Sequence, residues 1–317
     1  MQNPIHPLST SRSRAVRLAS FGTSEVLEVR EVPVPQVGPG QIRVRVRAAG
    51  LNPMDWFMVT DAETAGRFGL SLPVGFGTDY AGVVDQVGDG VTGFVSGERV
   101  FGGALSRAVS DFVVVDAGSV AANEVHHTPD GVDDRTAAAI TIAGRTASAA
   151  LAVVELGPSD TVLIGGAAGG VGVFAVQLAR IAGARVIGTG SAASAGFLRQ
   201  LGGEPVVYGD GLVDRVRALA PGGITAAIDL YGTETAFAAR ALGVPDTRIT
   251  TIAARIDGIT PSNGANAAPR ALENIARLIA TGRLVVPIAA SFPIEQIRSA
   301  VELQAGRHVK GKVVIDL

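Results

Sequence analysis

The amino-acid sequence predicts an α/β protein in which a doubly wound parallel sheet is joined to a mainly β-stranded domain. Between Asp134 and Leu284, short apolar runs alternate with stretches in which apolar residues recur every three or four positions. That alternation is typical of a parallel sheet covered by helices. Before Asp134, short strand patterns are separated by glycine-rich turns, which is typical of a small barrel-like domain. A chain of 317 residues is also long for one hydrophobic core, so two domains are expected.

The clearest single pattern is a predicted strand–turn–helix–strand unit in the middle of the chain. Thr161–Ile164 is an apolar run of strand length, and five glycines follow between Gly165 and Gly172. A helical stripe comes next, and Arg185–Gly188 resembles a second buried strand. The stripe consists of Val171, Phe174, Leu178 and Ile181. These elements together predict one βαβ unit.

The glycine turn of this unit predicts a dinucleotide site. Glycines allow a tight turn and a close approach of the backbone to a pyrophosphate, and N–H groups at the helix start then face its negative charge. The predicted contacts are Ala167, Ala168, Gly169, Gly170, Val171 and Gly172. The alternative is an ordinary tight turn in another kind of α/β protein. The flanking strand and helix favour the dinucleotide interpretation.

Composition excludes several classes of function. The chain has no cysteine, which rules out disulfides, catalytic thiols and thiolate-bound zinc. With four histidines besides, we expect no metal site. A net charge of −2 gives no reason to expect nucleic acid or an anionic membrane as partner. No apolar run is long enough to span a bilayer. The predicted dinucleotide site leads us to expect a cytoplasmic protein.

The order of patterns along the chain predicts three regions. Residues 1–14 lack the apolar core of a secretory signal and are expected to form a flexible tail. Residues 15–134 form the β-rich domain, and residues 135–284 form the cofactor domain. Within the first domain, Gln41–Arg47 alternates between apolar residues and arginines, which predicts a half-buried strand with a solvated face.

Six motifs in order resemble the zinc-independent quinone oxidoreductase (zeta-crystallin-like) branch of the medium-chain dehydrogenase/reductases. The resemblance covers nearly the whole chain after residue 14. It implies a GroES-like catalytic domain, completed by about residues 285–317, and a Rossmann cofactor domain of doubly wound parallel sheet. The motifs are Gly50–Asp55, Gly77–Gly82, Val95–Phe101, the entry into the cofactor domain from Pro129 to Ala147, Gly165–Gly172 and His308–Val314.

The resemblance implies an oxidoreductase that delivers hydride from NADPH to a quinone or an α,β-unsaturated carbonyl, since such acceptors need no metal. Two alternatives stay open: a protein that binds NADPH without turnover, as crystallin-like and sensor relatives do, and a tailoring reductase of secondary metabolism. In each case the partner is a small molecule.

Cofactor choice rests on the residues after the second strand of the unit. A fold specific for NAD usually carries an acid there for the ribose 2′-hydroxyl, but Gly188–Ser194 contains none. NADPH is therefore expected, with Gly190, Ser191 and Ser194 beside the 2′-phosphate. Family members usually carry a base in this loop, whereas the nearest base here is Arg199. The resemblance adds Thr146 and Tyr208 as cofactor contacts.

The resemblance also suggests catalytic residues. Asn52 is expected to hydrogen-bond cofactor or substrate oxygen, while Asp55 either touches substrate or fixes the local turn. Tyr80 and Tyr231 are candidate proton donors on chemistry alone, with plain packing as the alternative. Trp56–Met58 either line an apolar pocket or belong to the core.

A homodimer is expected, joined edge to edge through the cofactor-domain sheets. The candidate edge strand is Arg248–Ala253, which is β-branched and free of proline. The alternative is that this strand lies in the interior of the sheet, covered by its own chain.

Overall fold

The computed structural model describes residues 12–118 and 123–317. Residues 1–11 of the predicted tail lie outside this range. The tail was predicted three residues too long, because Arg12–Arg14 already belong to the first strand and pair with Glu31–Pro33 of the second.

Short strands alternate with helices along the described residues. The strands are β1 Arg12–Leu18, β2 Glu28–Pro33, β3 Gln41–Leu51, β4 Val74–Gly75, β5 Asp79–Val87, β6 Arg99–Gly103, β7 Phe112–Asp116, β8 Val125–His127, β9 Thr161–Gly165, β10 Arg185–Gly190, β11 Glu204–Val207, β12 Ala226–Asp229, β13 Ile249–Thr251, β14 Thr260–Pro261, β15 Ile288–Pro293 and β16 Lys312–Asp316. The helices are α1 Pro53–Phe57, α2 Ala62–Arg67, α3 Asp134–Ala138, α4 Thr141–Val153, α5 Gly172–Ile181, α6 Ala195–Gln200, α7 Leu212–Leu219, α8 Glu234–Ala241, α9 Ala271–Ala280 and α10 Ile297–Ala305. In the described ranges no helix is both long and apolar enough to cross a bilayer.

A six-stranded parallel sheet forms the cofactor domain. Its strand order is β11-β10-β9-β12-β13-β14, which confirms the predicted doubly wound fold. The order reverses beside β9, and ligands of open α/β sheets bind where the order reverses, at the carboxyl ends of the strands. The glycine turn begins at that end of β9.

A seven-stranded sheet forms the β-rich domain, in the order β15-β16-β3-β5-β6-β8, with β7 pairing to β3. The alternation in β3 has the predicted effect: Ile42, Val44 and Val46 are buried. On the opposite face Arg43 and Arg45 pair with Asp85. The C-terminal strands β15 and β16 thus join a sheet begun by residues far earlier in the chain. A separate three-stranded sheet, β2-β1-β4, lies beside them.

One hydrophobic core continues from the β-rich domain into the cofactor domain. Ala48 and Phe101 from the former are buried in the same cluster as Ile140 and Ile164. Gly50 of β3 lies directly against the backbone of Ala138, so a Cβ at this position would overlap its carbonyl oxygen. The two domains therefore meet through closely packed small residues.

The candidate dimer strand lies in the interior of the sheet, so the edge assignment was wrong. β13 pairs with β12 on one side and with β14 on the other. The edge strand is β14, whose two residues Thr260 and Pro261 are both exposed. The homodimer itself stays a prediction.

The interior position of β13 changes what a proline there should do. Thr251→Pro is expected to lower the free energy of unfolding by more than about 2 kcal/mol, because proline cannot donate a hydrogen bond and is poorly tolerated inside a sheet. Thermal unfolding would measure this. Thr251→Ser is the control, since it keeps the hydroxyl that accepts from the N–H groups of Ala253 and Ala254 at 3.3 Å. A proline variant that melts like the wild type would contradict the interior position.

Candidate active site

The glycine turn leaves several backbone donors free. The N–H groups of Gly166, Ala167 and Gly169 are used within the protein: the first two donate to Thr189 and the third to the carbonyl of Gly166. Within the described ranges, four N–H groups of the turn meet no protein acceptor. They belong to Ala168, Gly170, Val171 and Gly172. All of these except Gly172 are half-buried, so the donors face an accessible groove at the start of α5.

These donors fit a pyrophosphate, and the turn has the space for one. A Cβ at Gly169 would meet only the carbonyl oxygen of Gly166, at 3.3 Å. A Cβ at Gly170 would meet the Lys312 side chain at 3.1 Å. Gly172 differs, since a Cβ there would overlap the carbonyl oxygens of Gly166 and Ala167. Gly172 is therefore needed for the turn to close, while Gly169 leaves the backbone open to an anion.

The loop after β10 contains hydroxyls and no acid. The Ser191 and Ser194 hydroxyl oxygens lie 3.0 Å apart, and Ser194 is buried. Gly190 is buried at the end of β10, and a Cβ there would approach Leu198 Cδ1 to 3.0 Å and Ser194 Cβ to 3.2 Å. Tyr208 follows β11, at the carboxyl ends of the strands like the loop after β10, and is 51% exposed. The predicted cofactor contacts of this region therefore lie near one another.

A base that sequence reasoning did not connect with this loop also reaches it. Lys310 Nζ donates a hydrogen bond to the carbonyl oxygen of Ala193 at 2.7 Å. The next residue, Gly311, donates its N–H to Ala168 in the glycine turn at 3.0 Å. The segment before β16 thus contacts both the turn and the loop.

Asn52 lies in a buried polar network at the end of β3. Its side-chain amide donates to Asp79 Oδ2 at 3.0 Å, and its oxygen accepts from Lys312 Nζ at 2.6 Å. Lys312 also donates to the carbonyl of Leu51 at 3.0 Å. Asp79 accepts in addition from the N–H of Ile142 in α4. The network fixes the orientation of the Asn52 amide and leaves it one N–H of its own.

Burial is the largest influence on the pKa values of the charged groups in this network. Desolvation raises the pKa of Asp79 to about 7, against the opposing effect of Lys312 and the Asn52 hydrogen bond. Desolvation likewise raises the pKa of Asp55 to about 6. The pKa of Lys312 is lowered by desolvation, with the two carboxylates acting in the opposite direction. The carboxyls therefore titrate near neutral pH.

Asp55 fixes the local turn instead of facing a substrate. Its Oδ2 accepts the N–H of Asn52 at 2.8 Å, and its Oδ1 accepts the hydroxyl of Thr78 at 2.7 Å. The first bond belongs to the capping box at the start of α1. Asp55 is 1% exposed, and both of its carboxylate oxygens accept hydrogen bonds from within the protein. A catalytic role for Asp55 is therefore not supported.

Tyr80 is also misassigned as a proton donor. It is fully buried in the barrel core, and its hydroxyl donates to the backbone carbonyl of Glu124 at 3.5 Å. Desolvation raises the pKa of this phenol far above its ordinary value. Of the two tyrosines considered from sequence, Tyr231 is the accessible one, at 59% exposure. It lies against Gly166 of the turn, with the Arg307 guanidinium 5.3 Å from its ring centre.

The apolar residues after Asn52 have separate environments. Met58 is fully buried in the core, and Trp56 is partly buried against the same cluster. Phe57 is 49% exposed. Residues 56–58 are thus divided between core and surface and do not form one continuous pocket wall.

Thr146, on α4, is half-buried and available to a ligand.

His126 and His127 lie in strand β8, and each stacks on a phenylalanine ring. His126 stacks on Phe101 and forms a hydrogen bond with the buried Glu124 at 3.0 Å. Glu124 also forms an ion pair with Arg145 of α4. Among residues 12–118 and 123–317, no three potential metal ligands of the His, Cys, Asp and Glu types come together.

Sequence reasoning did not connect Lys312, Asp79 and Lys310 with the candidate site. One signal was present, because the chain has only two lysines among 27 basic residues, and they flank Gly311. Their partners could not be predicted, since Asp79 and Ala193 are more than one hundred residues away in sequence.

Two family models match the chain. The alcohol dehydrogenase GroES-like domain matches residues 38–117, and the zinc-binding dehydrogenase model matches residues 170–297. The second description names zinc, although this chain has no cysteine to supply a thiolate ligand.

Curated relatives include quinone oxidoreductases from Pseudomonas aeruginosa and Homo sapiens. Each is 38% identical, over 183 and 181 residues respectively, which is 56% of this chain. The match spans about half the length of these relatives, 52% of each.

Solved structures share the whole fold. The quinone oxidoreductase of Coxiella burnetii has a TM-score of 0.84 at 26% identity, over 97% of this chain and 100% of that one. A NAD-dependent alcohol dehydrogenase has a TM-score of 0.84 at 28% identity, over 96% and 99%. With both domain models matched, the glycine turn at the sheet switch point and this shared architecture, the chain belongs to the medium-chain dehydrogenase/reductase family, as a relative of its quinone oxidoreductases.

Proposed function

We propose that the chain is an NADPH-dependent, zinc-independent oxidoreductase that delivers hydride to a quinone or an α,β-unsaturated carbonyl. The observation that carries the proposal is the glycine turn, whose free N–H groups lie beside a loop without any acid. Such donors at a helix start bind a pyrophosphate, and the loop would accept a charged 2′-phosphate. The relatives named as quinone oxidoreductases support the same reaction class.

The cofactor would lie across the carboxyl edge of the parallel sheet. We assign its pyrophosphate to the N–H groups of Gly170 and Val171, and its adenosine half to the loop from Gly190 to Ser194 with Tyr208. Thr146 on α4 is assigned to the other half of the cofactor. Bound NADPH would supply the hydride. The acceptor would bind and be oriented between the two domains.

The acceptor must be electrophilic without help from a metal. The absence of cysteine leaves no thiolate for a zinc ion that could polarise an alcohol or an isolated carbonyl. Quinones and conjugated carbonyls accept hydride because the charge delocalises within the acceptor. Asn52 would then position a ligand oxygen through its remaining N–H, with the amide held in one orientation by Lys312 and Asp79.

Replacing Gly169 tests the pyrophosphate assignment. Gly169→Ala adds one methyl at a position where only the Gly166 oxygen is close, so we expect the fold to persist. The methyl would hold a phosphate away from the neighbouring N–H groups. Loss of one such charge-assisted bond should weaken NADPH binding about 10- to 100-fold, measured by calorimetry.

Gly222→Ala is the matched control, because a Cβ there meets nothing within 4 Å and the residue precedes β12 at the opposite edge of the sheet. Its NADPH affinity should equal that of the wild type. Unchanged NADPH affinity in a folded Gly169→Ala protein would refute the assignment of the turn.

Chelation tests the metal-free mechanism. Dialysis against a strong chelator should leave the turnover rate unchanged, because no thiolate is available to hold zinc. The rate is compared before dialysis, after dialysis and after addition of zinc. Activity that is lost on dialysis and returns with zinc would contradict the proposal.

A substrate panel tests the reaction itself. NADPH oxidation, followed by absorbance, is expected with quinones or with conjugated enals and enones, and not with isolated ketones, which need a Lewis acid to polarise them. Saturated analogues of the active enones serve as matched controls. Tight NADPH binding without turnover across the panel would favour a binding protein over an enzyme.

A further inference from the structure

A 2′-phosphate needs a positive partner, and the loop after β10 has none of its own. Its polar groups are the hydroxyls of Ser191 and Ser194, which are 3.0 Å apart. Hydroxyls alone bind a phosphate weakly, because the phosphate carries about −1.5 to −2 charges at neutral pH. If this chain uses NADPH, a cation must reach the loop from another element.

The segment before β16 supplies such a cation. Lys310 Nζ donates to the carbonyl of Ala193, which lies between the two serines in sequence, at 2.7 Å. Lys310 makes no ion pair in the described part of the chain, so its charge is not neutralised there. One of its three N–H donors is used by the carbonyl, which leaves two for a ligand.

The backbone beside Lys310 holds this arrangement in place. Gly311 has a φ of +96° and donates its N–H to Ala168 of the glycine turn at 3.0 Å. A Cβ at Gly311 would overlap the carbonyl oxygen of Pro287. The residues directly before β16 are therefore held between two places. One is the turn that would bind the pyrophosphate, and the other is the loop that would bind the 2′-phosphate.

Two of the other cations near this loop are engaged with the protein elsewhere. Arg215 uses its guanidinium on the carbonyls of the turn after β11, residues 207–210. Arg307 lies over the ring of Tyr231. Arg199, the base nearest in sequence, is exposed on α6, and its side chain makes no hydrogen bond or ion pair with a described residue.

We propose that Lys310, contributed by the C-terminal segment, is the residue that recognises the 2′-phosphate and selects NADPH over NADH. Its ammonium would bind the phosphate together with the Ser191 and Ser194 hydroxyls. The assignment rests on the proposed NADPH dependence and adds the determinant that the loop itself lacks. The positive charge would come from the C-terminal segment, not from the cofactor loop.

The test measures dissociation constants by calorimetry for NADPH, NADH, 2′,5′-ADP and 5′-AMP. Lys310→Met should weaken binding of NADPH and 2′,5′-ADP about 10- to 100-fold, as expected for loss of one charge-assisted bond. NADH and 5′-AMP should bind within about twofold of wild type, which also reports that the variant is folded. Lys310→Arg should retain most of the preference for the phosphorylated ligands.

Two matched variants remove the other free or partly free cations, Arg199→Met and Arg307→Met. Both should keep the wild-type preference for NADPH. If either loses it while Lys310→Met keeps it, the assignment to Lys310 is overturned and NADPH dependence stands. If the wild type itself binds NADPH and NADH equally, the cofactor choice fails, and the role of Lys310 fails with it.

Discussion

The site depends on the hydrogen bonds and the ion pair that the buried ammonium of Lys312 makes. Its head group donates to the carbonyl of Leu51 and to the Asn52 side chain, and it lies 3.9 Å from Asp79. Its stem passes 3.1 Å from the position that a Cβ of Gly170 would take, so the same side chain packs against the glycine turn. One residue therefore joins β16, the end of β3 and the turn of the cofactor domain. Removing one partner of such a buried pair typically costs about 3–5 kcal/mol, because the other charge stays buried.

The charge balance of this network gives it a dependence on pH. Two carboxyls share one ammonium, and all three groups are buried. A carboxyl whose pKa is higher in the folded state binds more protons when folded, so its contribution to stability is present in acid and is lost as pH rises through about 7 for Asp79. The lowered pKa of Lys312 acts in the opposite direction, since its contribution is lost as pH falls. Coupling between these groups means that protonation belongs to the network and not to a single residue.

Local sequence patterns predicted the strands and helices. Contacts between residues distant in sequence determined where those strands and helices lie in the fold. The strand, turn and helix around Gly165–Gly172 were predictable because their periodicities are short-range. The interior position of Thr251 was not, since it depends on Thr260–Pro261, a two-residue strand whose proline argues against a strand. The burial of Tyr80 was equally hidden, because alternation along β5 assigns a side chain to one face of the sheet without saying what covers that face.

The C-terminal segment brings residues that are distant in sequence against the cofactor domain. Lys310 and Lys312 flank Gly311, whose φ of +96° turns the chain between them. One lysine consequently reaches the loop after β10, while the other enters the buried network beneath the glycine turn. The C-terminal segment thus carries charge both to the loop after β10 and to the network at the end of β3. Under the proposed mode of cofactor binding, binding and the packing of the two domains would depend on the same few residues, so a change in either is expected to alter the other.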